Sequence, residues 1–139
     1  MKQAIIDTAV IVALLNKNDN YHQWAISQWR QVQAPAITCE AVISESCFLL
    51  KATYLQEILM SMIEAGAIKT QFQFENNVTK IQELMLRYGS VPMSFADACL
   101  VRMAEENPEY AILTIDSDFT IYRKNRSQTI PIIIPILGG

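Results

Sequence analysis

AIIDTAVIVALL, residues 4–15, is the stretch on which the reading of this chain turns. Gln3 to Ile6 is a short, isoleucine-dense run that ends at Asp7, and apolar residues resume from Ala9 to Leu15. A run this short and this apolar predicts a buried strand, and the longer stretch after it predicts a helix. Asp7 then stands at the carboxyl end of a strand. Open parallel sheets bind their ligands at that end, although an aspartate there can equally cap the helix that follows.

Working outward, the same alternation recurs. Asn16 to Asn20 is a polar break, and Tyr21 to Gln31 reads as a helix with Trp24, Ile26, Trp29 and Val32 offering an inward face. Ala34 to Thr38 is a strand candidate that leads into a helix over Glu40 to Lys51. A helix over Tyr54 to Glu64 follows, and Gly66 stops it. Ala67 to Phe72 alternates like a partly exposed strand. Glu75 to Tyr88 is amphipathic, with Val78, Ile81, Leu84, Met85 and Tyr88 on one side, and Gly89 ends it. A helix starts at Ser94 and runs through Glu106, Asn107 and Pro108 make a turn, and Tyr110 to Ile115 and Ile132 to Ile134 are strands. Strands alternating with helices imply right-handed crossovers and an α/β fold whose mostly parallel sheet is covered on both faces. No repeat or linker interrupts the pattern, so residues 1–139 are expected to form one domain.

Composition narrows the function classes. With 139 residues, 51% hydrophobic and 18% charged, the chain is a folded globular one rather than a disordered one. A net charge of -3 excludes a uniformly basic nucleic-acid coat, while eleven Lys and Arg still allow a local patch. An acidic total also fits a protein that gathers carboxylates around a cation. Cys39, Cys47 and Cys99 are odd in number and lack CxxC spacing, so they read as reduced core thiols in a reducing cytoplasm. His22 is the only histidine, which leaves a Cys/His zinc site short of ligands and His22 itself a poor general base. Asp7 interrupts the N-terminal apolar run, and IPIIIPILGG at the other end carries two prolines. Neither is expected to act as a signal or to cross a membrane.

The chemistry-bearing residues are carboxylates. Asp116 follows AILTI at the end of the strongest strand, in the same kind of position as Asp7, and Asp118 comes two residues later. Glu45 lies inside a helix, where capping does not explain it, and its three-and-four neighbours are Ala41, Val42, Phe48 and Leu49. A glutamate in such company faces a cleft, is costly if buried unpaired, or points outward at the stripe's margin. Asp97 has two open readings: a capping box with Ser94, or a rim position beside the buried face of Leu100 and Val101. Closely placed carboxylates repel unless a proton or a cation intervenes. Hard oxygen donors without Cys or His favour Mg²⁺ or Mn²⁺. Arg123, Lys124 and Arg126 form the densest basic cluster and are candidate phosphate contacts near Asp118, or simply a solvated loop. Tyr88, Phe95 and Tyr122 read as core residues rather than base-stacking platforms.

These residues, in order, resemble the PIN-domain family, and within it the toxin ribonucleases of type II (VapBC-like) toxin–antitoxin pairs. IIDTAVIVALL is similar to the family's first strand, aspartate and helix. ITCEAVISESCFLL is similar to its second strand and glutamate-bearing helix, with Glu45 as the matching acid. SFADACLVRMA supplies Asp97, and YAILTIDSDF supplies Thr114, Asp116 and Asp118. The resemblance spans nearly the whole chain. It implies a three-layer α/β/α sandwich around a central, mostly parallel sheet. It also implies Mg²⁺ or Mn²⁺ held mainly through Asp7, Glu45, Asp97 and Asp116, with Asp118 assisting and Thr8 and Thr114 as polar helpers. The activity implied is endonucleolytic cleavage of RNA that leaves 5′-phosphate and 3′-hydroxyl ends. The partners implied are a second copy of the chain and a small antitoxin protein that covers the cleft. The stretch from Lys51 to Gly66 is compact for the family's helical lid.

The residues also admit competing functions. ILTIDSDFT matches the DxDxT form of haloacid-dehalogenase-type phosphatases, but that motif opens a long domain and only 21 residues follow Asp118 here. A response-regulator receiver needs an acidic pair after its first strand, which is missing. A catalytically silent binding protein would keep the fold without the chemistry, and an RNA-maturation nuclease would keep the chemistry without a toxin role.

Overall fold

In the computed structural model, which describes residues 1–136, seven short strands and six α-helices alternate along the chain. The last three residues of the expected 1–139 domain lie outside the described residues. The order is β1 (Ala4–Ile6), α1 (Thr8–Leu15), α2 (His22–Trp29), β2 (Ala36–Thr38), α3 (Glu40–Leu50), α4 (Thr53–Glu64) and β3 (Ile68–Thr70). Then come a 3-10 turn (Phe74–Asn77), α5 (Val78–Arg87), α6 (Phe95–Glu106), β4 (Ala111–Leu113) and a second 3-10 turn (Ser117–Thr120). β5 (Arg123–Lys124), β6 (Gln128–Thr129) and β7 (Ile132–Ile133) complete it.

Five strands form one sheet in the order β3-β2-β1-β4-β7, and every neighbouring pair is parallel. The central strand explains its own sequence: Ala4, Ile5 and Ile6 are all fully buried, as a strand covered on both faces requires. At the edge, β3 buries Ile68 and exposes Lys69, which accounts for the alternation seen there. The α/β sandwich expected from the sequence is the observed fold.

The strand order places the functional end. The chain steps from β1 to β2 to β3 in one direction, then returns past β1 to β4 and on to β7. Right-handed connections put α1 to α4 on one face and α5 and α6 on the other. The packing follows that division, with α1 against α2 and α3, and α5 against α6. The connections leaving β1 and β4 therefore diverge, and a crevice opens between the carboxyl ends of these two strands. Asp7 and Asp116 follow those two ends.

Local chemistry sets the helix boundaries. Asp7 Oδ1 accepts from the Thr8 amide at 2.7 Å, so α1 begins one residue earlier than the apolar pattern suggests. Gly66 ends α4 at a φ of 86°, with its own amide bonded to Ile63 O and the Ala67 amide bonded to Met62 O. That pair of bonds is the Schellman closure, and its left-handed residue is naturally glycine. The helix expected over Glu75 to Tyr88 is divided. Asn77 donates to Gln73 O at 2.8 Å and accepts from Arg102 Nε at 2.7 Å, so the first turn is 3-10 and α5 starts at Val78. The antiparallel β5–β6 hairpin has no counterpart in the sequence pattern. Its turn holds Asn125 and Arg126 at φ of 48° and 73°, and no glycine marks it in the sequence.

Candidate active site

Asp7, Glu45, Asp97 and Asp116 line one open cleft of about 280 Å³, together with Thr8, Ala9, Leu49 and Ser94. Four elements supply them: the end of β1, the middle of α3, the first turn of α6 and the end of β4. Acids dispersed through the sequence thus converge because parallel strands end side by side and α3 and α6 both reach that end.

Asp7 is the most constrained of the set. It is 7% exposed, accepts from the Thr8 amide through Oδ1, and accepts from Thr114 Oγ1 through Oδ2 at 2.8 Å. Burial pushes its pKa up from 3.8 to about 6. The Thr114 and Thr8 hydrogen bonds oppose that rise, and the charges of Asp97 and Asp116 add to it. Thr114, fully buried, also accepts from the Asp116 amide at 2.9 Å, so one hydroxyl ties the two strand-end aspartates together. Asp116 Oδ1 in turn accepts from the Asp118 amide at 2.9 Å, closing the turn after β4.

Asp97 fulfils both of its readings. The capping box is present: Ser94 Oγ accepts from the Asp97 amide at 3.0 Å, and Asp97 Oδ2 accepts from the Ser94 amide at 3.3 Å. The same Oδ2 accepts from Tyr122 Oη at 3.1 Å, and the side chain still faces the cleft. Burial raises the Asp97 pKa. The bonds from Ser94 and Tyr122 oppose the rise, and the charge of Asp116 reinforces it. Glu45 differs from the other three. It is exposed at the cleft's outer wall, and Thr8 Oγ1 lies 3.4 Å from its Oε2. No burial cost arises at Glu45, because its neighbours Phe48 and Leu49 are exposed as well.

The remaining expected residues are placed differently. Thr8 lines the cleft and Thr114 lies beneath it. The Asp118 side chain does not line it. The basic cluster is not delivered to the carboxylates. Arg123 turns Nη1 onto the carbonyls of Thr120, Ile121 and Tyr122 at 2.7, 3.1 and 3.0 Å, Lys124 is buried, and Arg126 belongs to another cavity. Local sequence density placed these three together; they separate because Arg123 and Lys124 alternate along β5 and Arg126 lies in the turn that follows it. Tyr122 is fully buried, as expected, and packs edge-to-face on Tyr88 and Phe119 at 5.2 Å. What the sequence did not disclose is that its hydroxyl holds Asp97, 25 residues away. Phe95, expected in the core, is 41% exposed and stacks edge-on with Phe74. Cys39 and Cys99 are buried, and all three thiols are free.

The donor set is entirely oxygen, and its charges already strain one another, which is the chemistry a hard divalent cation relieves. Among the described residues, no group of three or more His, Cys, Asp or Glu is arranged so as to hold a metal ion as it stands. Mg²⁺ commonly binds through one or two carboxylates, retained waters and substrate phosphate. Carboxylates that face one another across an open cleft therefore suit it better than a closed cage does.

A crevice at the switch point of a parallel sheet, lined by acids from four elements, defines the class. A sequence profile for the PIN domain matches residues 4–125, and the chain belongs to the PIN domain family. Among solved structures, the fold is similar to that of Mycobacterium tuberculosis VapC20, described as a sarcin–ricin loop cleaving toxin. The TM-score is 0.78 at 18% identity, covering 93% of this chain and 100% of that one. At that identity the likeness establishes the fold alone. No curated protein matches the chain. Among the described residues, no helix is long and apolar enough to cross a membrane.

Proposed function

We propose that this chain, read as one domain, is an Mg²⁺- or Mn²⁺-dependent endoribonuclease and the toxin of a toxin–antitoxin pair. The observation that carries the reading is the convergence of Asp7, Glu45, Asp97 and Asp116 on one cleft in a PIN fold. The likeness to a toxin described as cleaving the sarcin–ricin loop supports RNA as the substrate class. Asp7, Asp97 and Asp116 are the residues that would hold the cation, with Glu45 at the outer wall; Asp118, whose side chain lies outside the cleft, would assist through its amide on Asp116. A bound Mg²⁺ or Mn²⁺ would lower the pKa of water and neutralise charge on the phosphate.

The chain's own residues prepare that cleft. Thr114 and the Thr8 amide orient the two Asp7 oxygens. Tyr122 and the Ser94 amide fix Asp97 Oδ2, which leaves its other oxygen for the cleft. The turn amide at Asp118 orients Asp116. Such outer hydrogen bonds set the direction and basicity of ligating carboxylates. The proposed partners are RNA, a small antitoxin protein and a second copy of the chain, all in the cytoplasm.

The test is cleavage of cellular RNA with mapped ends, with and without chelator. Wild type is expected to cut in Mg²⁺ or Mn²⁺ and leave 5′-phosphates. Asp7→Asn and Asp97→Asn are each expected to lose at least ~100-fold, more than outer-shell changes usually remove. Cutting that survives chelator and both substitutions would sink the site. Growth arrest on expression, relieved by a small neighbouring reading frame, separates a toxin from a maturation nuclease.

A further inference from the structure

A second polar cavity, of about 170 Å³, lies between α5, α6 and the β5–β6 turn, and shares no lining residue with the carboxylate cleft. It is lined by Lys80, Glu83 and Arg87 on one face of α5, Arg102 and Glu105 of α6, and Asn125 and Arg126 of the turn, with Leu84 the apolar member. Four cationic side chains against two carboxylates make this pocket positive within a chain of net charge -3.

The charges are not equivalent. Glu105 is committed inward: Oε1 accepts from Arg102 Nη1 at 3.2 Å and Oε2 accepts from the Asn125 amide at 2.6 Å. Arg102 also gives Nε to Asn77. These two form a neutralised floor. Lys80, Arg87 and Arg126 are exposed and, among the described residues, pair with no carboxylate. Glu83 is the one opposing charge left on the rim. Arg126 is held over the pocket in a left-handed conformation that side-chain-bearing residues rarely adopt. The Asn125 amide bond to Glu105 and the Asn125 Nδ2 bond to Gln128 Oε1, at 3.0 Å, fix the turn. Backbone strain of this kind persists where surroundings enforce it, and it concentrates at ligand-binding positions.

We propose that this pocket grips an RNA backbone phosphate flanking the scissile one; the inference rests on the endoribonuclease reading. Guanidinium and ammonium groups converging on a polar cavity are the chemistry that binds phosphate oxygens. With a single apolar lining residue, the pocket lacks the buried anchors by which a peptide partner would be held. The same helix serves both sites. Asp97 stands in the first turn of α6, and Arg102 and Glu105 lie ~8 to 12 Å further along at 1.5 Å per residue. Such a contact positions RNA without reading its sequence.

The experiment measures binding of a fluorescein-labelled single-stranded RNA by anisotropy, in EDTA to prevent cutting, between about 50 and 200 mM salt. Lys80→Gln/Arg87→Gln/Arg126→Gln is expected to weaken binding at least ~tenfold and to reduce the salt slope by about 0.7, the value for one phosphate contact on a single strand. Glu83→Gln, which removes the opposing charge and cannot act by losing a contact to RNA, is expected to tighten binding about twofold to threefold. Lys80→Arg in an otherwise wild-type chain keeps affinity within about twofold of wild type, since charge is what matters. Affinity and salt slope unchanged in both the triple variant and Glu83→Gln would overturn the pocket and leave the endoribonuclease reading intact. Weaker binding with an unchanged slope also overturns it, because the loss is then not electrostatic. Wild type that neither binds nor cuts RNA removes the reading, and the pocket with it.

Discussion

The carboxylate cleft and the basic pocket are two charged cavities that share α6 and are built on opposite plans. In the cleft, like charges are held together. Asp7 is nearly buried, its neighbours raise its pKa further, and backbone amides and hydroxyls lock each oxygen in place. In the pocket, opposite charges are mixed, the inner pair is neutralised, and Lys80, Arg87 and Arg126 stay exposed on long side chains. A site that must hold a small hard cation needs rigid, desolvated oxygens. A site that tracks a polyanion needs adaptable charge that remains hydrated until the partner arrives. The difference teaches how stability has been given up: through buried like charge in the cleft, and through the left-handed turn at Asn125 and Arg126 in the pocket.

Asp7→Asn is the largest expected break in that comparison. Asp7 ordinarily titrates at 3.8 and in the fold at about 6, so over that interval the folded protein holds a proton the unfolded chain has released. Its contribution to stability is fullest below about pH 3.8 and is lost as pH rises through about 6. Removing the charge relieves a penalty of up to about 3 kcal/mol above pH 6, while the amide, with one acceptor where the carboxylate has two, forfeits a hydrogen bond worth about 1 kcal/mol; the variant's stability relative to wild type is therefore expected to rise by up to about 3 kcal/mol between about pH 4 and pH 7. Denaturant melts in EDTA across that range test it, and a difference between variant and wild type that does not change with pH would contradict the account. Mn²⁺ should raise the melting temperature of wild type and not of the variant, by mass action on the folded state.

A middle-sized effect is expected at Thr114→Val, which keeps the shape of a fully buried side chain and deletes the hydroxyl joining Asp7 and Asp116. Leaving the half-buried Asp116 amide and a buried Asp7 oxygen unpartnered costs about 1 to 3 kcal/mol. RNA cleavage should fall roughly 10- to 100-fold, as for other residues that orient ligands. Stability and cleavage both unchanged would mean that the hydroxyl holds nothing. The smallest effect belongs to the pocket. Arg102→Gln breaks a partly exposed pair with Glu105 and the bond to Asn77, and about 1 kcal/mol is expected from thermal melts. A loss comparable with that at Thr114 would show that the pocket is as rigidly built as the cleft.

Much of the cleft was legible in the linear order of residues. Asp7 ends a fully apolar run and Asp116 one broken only by Thr114, and a run buried on both faces can carry a charge only where it leaves the sheet. Ser94 and Asp97 announce their capping box by spacing alone, and the structure contains it. Glu45 stood out because no cap explains it, yet its exposure could not be deduced: whether Phe48 and Leu49 are covered depends on neighbours far along the chain. The hidden parts are long-range. Tyr122 reaches Asp97 because the segment after β4 folds back over α6. The basic pocket joins α5, α6 and a glycine-free turn whose residues no local pattern connects. The split of the expected Glu75–Tyr88 helix has the same origin, since Arg102 engages Asn77 from another helix.

By itself, then, the sequence determined the alternation of buried strands and amphipathic helices, the parallel α/β architecture, and the acids at strand ends. Periodicity and the cost of burying charge act locally, and they leave their mark residue by residue. Tertiary structure alone decided which oxygens face the cleft, which hydroxyls orient them, and that Arg126 joins Lys80 and Arg87 rather than Arg123 and Lys124. Hydrogen bonds and charge clusters between elements depend on how strands are ordered in the sheet and how helices pack across it, and neither is written in the spacing of neighbouring residues.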